Sequence, residues 1–189
     1  MGWRESRASV KRLLHAPIVL LSAALLGGCF QPLYGTGPET GTGRPGIRDA
    51  LQAIEVQQID AAANTPEAPL AVQIRNDLLF NFTGGGYSAP PTHRLKVNIS
   101  GNRAVVNIDR ATALPKVETY SLRTSYSLTE IATGKVVVNG SASTAVSYDT
   151  LGQQRFARLS GMHDAERRAA KVLSDNITSR LASYFVSGS

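Results

Sequence analysis

The apolar residues of this chain change their spacing along its length, and that change limits the folds open to it. Leu95, Val97 and Ile99 alternate with Arg94, Lys96, Asn98 and Ser100, the two-residue period of a strand with one wet face. Tyr120 with Leu122, then Tyr126 with Leu128, repeat the pattern. The "ATGK" of Ala132 to Lys135 turns the chain, and Val136 to Tyr148 returns as the partner strand. These segments predict a meander of antiparallel strands, each with one apolar side to cover.

The cover comes from segments of helical period on either side. In Asn64 to Phe82, Leu70, Ile74, Leu78 and Phe82 recur on one face. Thr65 is the expected cap, Pro66 suits the first turn, and Glu67 suits the positive end, with Pro69 offering an alternative start one turn later. The glycines at 84–86 stop this helix. A second helix is predicted over His163 to Phe185, with Ala165, Ala169, Val172, Leu173, Ile177, Leu181 and Tyr184 on one broad face. Arg167, Arg168 and Lys171 take the other side, and Arg180, among the apolar positions, must stretch its head to water. Leu51 to Ile59 is expected as a short first strand, although Ala and Gln there also suit a helix. The predicted fold is α+β, two helices packed on one face of a small, mostly antiparallel four-stranded sheet. Residues 48–189 are expected to form this single domain.

The residues before it have a different composition. Arg4, Arg7, Lys11 and Arg12 form a basic leader, and Ile18 to Leu26 is apolar apart from Ser22. That is the layout of a secretory signal peptide, and the run falls short of the ~20 apolar residues of a spanning helix. It ends in "LGGC", Leu26 to Cys29, which looks like the lipobox of bacterial lipoproteins. Cys29 is the only cysteine, so it can form neither an intrachain disulfide nor a cysteine metal cluster. The reading is a signal peptide over residues 1–28 and lipidation of Cys29 with a diacylglycerol and an N-acyl chain. The alternative is an ordinary signal peptide with a chance cysteine near its end. In lipoproteins of this kind an aspartate after the cysteine often favours the inner membrane; Phe30 stands there instead, so the cell outer membrane is expected. Gln31 to Gly46, rich in Gly, Pro and Thr, completes a tether over residues 29–47.

Charge excludes less than it first suggests. The whole chain of 189 residues carries a formal +6. Residues 1–28 hold four basic residues and Glu5, which leaves 16 Lys and Arg against 13 Asp and Glu, about +3. With no long basic run and no RNP-like aromatic pattern, no nucleic-acid partner is expected. "GTGRPG", Gly41 to Gly46, fits G-x-G-x-x-G literally but follows no strand and contains Pro45. "TGGGYSAPP" lacks the lysine and hydroxyl of a P-loop. "SGMHD", Ser160 to Asp164, gathers a hydroxyl, an imidazole and a carboxylate, yet neighbours on a helix project in different directions. His163 reads as a partly exposed residue at a helix start, and His93 as a bland residue before a strand. No catalytic residues, resident cofactor or metal are expected, and the glycosylation-like Asn-x-Ser/Thr matches at Asn81, Asn98, Asn139 and Asn176 are read as incidental.

Several of these stretches together resemble one family. "CFQPLYG", Cys29 to Gly35, is similar to the mature start of the LPS-assembly lipoproteins (LptE), and "VSYD", "RFARL", "DAERRAA" and "RLASYF" resemble the alphaproteobacterial members. The long Gly/Pro/Thr stretch after Tyr34 departs from the family. The resemblance implies two helices against a four-stranded sheet. It also implies a non-catalytic function: a plug in the LptD-type outer-membrane β-barrel, assisting its assembly and the passage of lipopolysaccharide to the outer leaflet. Lipopolysaccharide carries phosphates, which arginine can grip bidentately; Arg94, Lys96, Arg123 and Lys135 are the candidate contacts. The competing reading of these four is a solvated or barrel-facing basic surface. Rival functions are a lipoprotein binding some other envelope protein, and an envelope hydrolase using His163.

Overall fold

In the computed structural model the described residues are 46–62, 64–111, 113, 115–150 and 155–187. Seven elements follow in order: α1 (Ile47–Gln52), β1 (Ile54–Val56), α2 (Glu67–Thr83), β2 (His93–Ile108), β3 (Pro115–Glu130), β4 (Val136–Asp149) and α3 (Arg155–Ser187). The sheet order is β1-β2-β3-β4. β2, β3 and β4 form the antiparallel meander, whereas β1 runs parallel to β2. A parallel neighbour needs a crossover connection, and α2 supplies it. The fold is α+β with one covered and one open sheet face.

Two sequence expectations change at the amino end. Leu51 belongs to α1, not to a strand, so the described residues hold three helices where two were expected. Ala50 and Leu51 bury one side of that single-turn element, and β1 takes only the β-branched pair Ile54 and Val56 with Glu55 between them. Thr65 does not cap α2. Its hydroxyl donates to the Ala62 carbonyl at 2.8 Å, in a turn where Asn64 adopts φ 65°, and Pro66 occupies the cap position without a side-chain bond. At the far end Gly84 takes φ 63° and donates to Phe80 O at 2.7 Å, which ends the helix as the glycine run predicts.

The covered face follows the sequence alternation. Leu95, Val97, Tyr120, Leu122, Tyr126 and Leu128 are buried, and β3 adds Thr124 and Glu118 at the same parity. Tyr126 lies over Gly140, and Tyr120 over Gly101; a Cβ at either glycine would strike the ring above it. Each glycine thus makes room on one strand for a tyrosine from the next.

α3 is longer than its periodicity indicates, starting at Arg155. Leu173, Ile177 and Leu181 are fully buried, but Val172 is 42 % exposed and does not belong to the inward face. Ala170, Ser174, Thr178 and Ala182 are buried in its place. They recur every four residues, a ridge of small side chains against α2, where Asn81 donates to Thr178 Oγ1 at 3.3 Å and to Asp175 Oδ1 at 3.1 Å. Ser174 and Thr178 satisfy their hydroxyls on the carbonyls four residues back. Among the described residues no helix is long and apolar enough to cross a membrane.

Candidate functional site

Away from the far end of β2, which exposes Val105, Val106 and Ile108, the open face of the sheet is polar. Its residues are those out of phase with the core: Arg94, Lys96, Asn98 and Ser100 on β2, Ser121, Arg123, Ser125 and Ser127 on β3, and Asn139, Ser141, Ser143 and Ser147 on β4. Thr119 and Ser147 share a hydroxyl–hydroxyl hydrogen bond of 2.8 Å across the β3–β4 pair. The result is a hydroxyl- and amide-rich surface with three cations.

Of the four candidate cations, Arg94 and Lys96 come together, two residues apart on β2 opposite Thr129 and Ser127. Arg94 is committed to Glu55 on the neighbouring β1, at 2.9 Å, because the parallel register sets Glu55 beside it. Arg123 stands opposite Ser100, four residues beyond Lys96, which is about 14 Å at the usual strand rise. Lys135 lies in the turn between β3 and β4, where its carbonyl accepts from Glu130 N at 2.9 Å. The four therefore spread over one face and one turn, not into a single cluster. Cys29, like the leader and most of the tether, lies outside the described residues.

The inner face holds ionisable groups that periodicity did not reveal. Glu118 is 6 % exposed, accepts from the Tyr148 hydroxyl, and takes a 2.7 Å ion pair from Arg158 at the start of α3. Glu118 has the parity of Tyr120 and Leu122, so a carboxylate on the apolar phase was the signal available. Glu166 is buried in α3 and meets His163 Nδ1 at 3.1 Å. Among the described residues the buried Tyr120 hydroxyl has no hydrogen-bond partner. Burial, then the Glu166 and Glu67 carboxylates, push its phenol up to about 12; burial and then the Glu118 hydrogen bond push Tyr148 to about 12 as well.

An alkaline titration should reveal both phenols. In the unfolded chain they ionise near 10, in the folded chain near 12. Their contribution to stability is therefore complete below pH 10 and is lost as pH rises toward 12, because only the unfolded state can release those protons readily. Denaturant melts across that window should show falling stability, with phenolate absorbance delayed for Tyr120 and Tyr148, and in the same direction for Tyr126, whose burial also raises its pKa. Tyr148→Phe should reduce the slope; a slope unchanged in that variant would contradict the assignment.

The hydroxyl–imidazole–carboxylate run does not assemble as a triad. His163 sits in the interior of α3, not at a helix start, and turns to Glu166. Asp164 instead receives Arg168 at 2.7 Å and Arg167 at 3.4 Å. His93 meets Phe185 edge-on with centroids 5.2 Å apart, and burial lowers its pKa. Among the described residues no group of three or more His, Cys, Asp or Glu is placed to hold a metal ion.

No family model matches the chain, and no curated protein matches it. Solved structures do. A candidate lipoprotein from Caulobacter crescentus aligns with a TM-score of 0.59 at 18 % identity, covering 77 % of this chain and 98 % of its own. Rare lipoprotein B from Shewanella oneidensis aligns at 0.51 with 12 % identity, over 70 % of this chain and 98 % of its own. A minor lipoprotein from Acinetobacter baumannii aligns at 0.50 with 14 % identity, over 70 % and 92 %. At such identities the likeness speaks for the helix-backed sheet as a shared fold.

Proposed function

We propose that this chain is an outer-membrane lipoprotein, anchored on the periplasmic side through acyl chains on Cys29, whose α+β body plugs an LptD-type β-barrel. In this role it assists barrel assembly and the delivery of lipopolysaccharide to the outer leaflet, without a catalytic step. The observation that carries the reading is the fold likeness to three structures described as lipoproteins, spanning from 92 % to 98 % of their chains, on a sequence that also contains "LGGC" and "CFQPLYG". The open sheet face supports it physically. A plug in a wet lumen needs a surface that stays solvated or hydrogen-bonds to lumen side chains, and Ser, Thr and Asn do both. Lys96 and Arg123 on that face offer phosphate contacts for a passing lipopolysaccharide; Arg94 and Lys135 flank them.

Affinity capture of the full chain from solubilised envelopes tests the reading. The expected result is a stoichiometric large β-barrel partner. Recovery of a different envelope protein in its place would sink the barrel assignment and favour a general lipoprotein adaptor. A parallel capture of lipopolysaccharide in low salt should weaken when Arg94, Lys96, Arg123 and Lys135 are neutralised together, with barrel binding intact.

A further inference from the structure

The sheet has two edges, and the chain treats them differently. β1 is three residues long, and its Val56 carbonyl already accepts from Arg75 Nε at 3.3 Å. β4 is fourteen residues long. From Val136 to Tyr148 it contains no charged residue and no proline, and its single register shift falls at the start, opposite Leu128 and Thr129. Exposed edges are ordinarily protected by shortness, charge, proline or a bulge. Along most of its length β4 has none of these, and its backbone groups facing away from β3 have no partner among the described residues.

Beside that edge runs a groove of about 910 Å³. Ser141, Ala142 and Ser143 of β4 form one wall, Asn176 and Arg180 of α3 the other, and Arg123 of β3 also lines it. No acidic residue lines the groove, and neither arginine has a carboxylate partner among the described residues. Small side chains leave the backbone accessible, and the two guanidiniums set the sign of the charge that fits.

We propose that the free edge of β4 is a docking site that takes an extended, acidic segment of another polypeptide as a fifth strand, with its carboxylates set against Arg123 and Arg180. Main-chain hydrogen bonds supply the register and alternate side chains the selectivity, as in other strand-addition interfaces. A second copy of this chain is the poorer occupant, because a two-fold pairing of β4 strands about Ser141–Ser143 brings both pairs of arginines together. The site is a property of the sheet edge and stands whether or not a barrel receives the body.

The probe is a capped ten-residue peptide of alternating valine and threonine with glutamate at two adjacent central positions, one for each face of the sheet, labelled for anisotropy and added to the purified full-length chain. Binding should slow amide exchange along β4. An otherwise identical peptide N-methylated at alternate residues keeps its charge but loses strand donors, and should bind at least about tenfold more weakly. The double variant Arg123→Glu, Arg180→Glu should reverse the preference toward a lysine version of the peptide. Because the N-methyl arm leaves the protein unchanged, a folding defect in the variant cannot mimic the result. Absence of binding, equal binding of the N-methylated peptide, or a dimer in solution that protects the β4 amides without peptide would each overturn the proposal.

Discussion

Leu173→Ala and Ile177→Ala are each expected to lower the free energy of unfolding by about 2–5 kcal/mol. Both side chains have 0 % exposure and meet the core cluster that includes Leu122 and Leu128. Truncation removes their burial and leaves a cavity, since sheet and helices are tied together through α2 and cannot collapse freely into it. Lys171, two residues from Leu173, is the control. Its ammonium reaches Asp175 at 3.4 Å across an exposed surface, so Lys171→Ala should change stability by less than about 0.5 kcal/mol. Denaturant melts of the three variants check the contrast, and equal losses at all three positions would mean that α3 is turned the wrong way.

The second large effect concerns location. Cys29→Ser should retain the leader, lack the acyl mass and leave the outer membrane, while its denaturation midpoint stays where it was. Buried acyl methylenes contribute about 0.8 kcal/mol each, so several chains hold the protein on the bilayer far more firmly than one. In the sequence a Gly/Pro/Thr-rich stretch lies between Cys29 and the described residues, so removing the proposed anchor need not disturb the folded body. Intact mass and membrane fractionation read both halves of the expectation. An unmodified Cys29 in the wild-type protein would remove the anchor from the proposed function.

What could be read from the sequence was whatever obeyed a clean period. Leu95 to Ile99 and Tyr120 to Leu128 gave the inward phase of β2 and β3 directly, and Gly84 marked the end of α2, because each depends on local geometry. The misreadings arose where tertiary partners decide. Val172 is apolar yet 42 % exposed, since the seam against α2 requires small residues and Ser174 and Thr178 take the buried positions. Leu51 went to a helix because β1 needs only three residues to complete the sheet beside β2. Arg94 and Lys96 alternate with the buried Leu95 and Val97 of β2 as the sequence indicates, but alternation carries no information about register. The 2.9 Å pairing of Arg94 with Glu55 depends on a parallel contact across 39 residues of chain. Glu118 was overlooked because a carboxylate on the apolar phase looks like a lapse of pattern until Tyr148 and Arg158 are placed around it.

The parallel attachment of β1 bears on how the body would respond to tension. Residues ahead of α1 join the domain through that six-residue helix and then through three residues hydrogen-bonded to β2. Any pull transmitted along the chain from the amino side arrives there first, upstream of the long β2–β3–β4 ladders. Local opening follows the weakest cooperative unit, so α1 and β1 would act as a mechanical fuse. They would peel away first, uncovering Leu51, Ile54 and Val56 at one border of the core while the β2–β3–β4 ladders and α3 keep their shape.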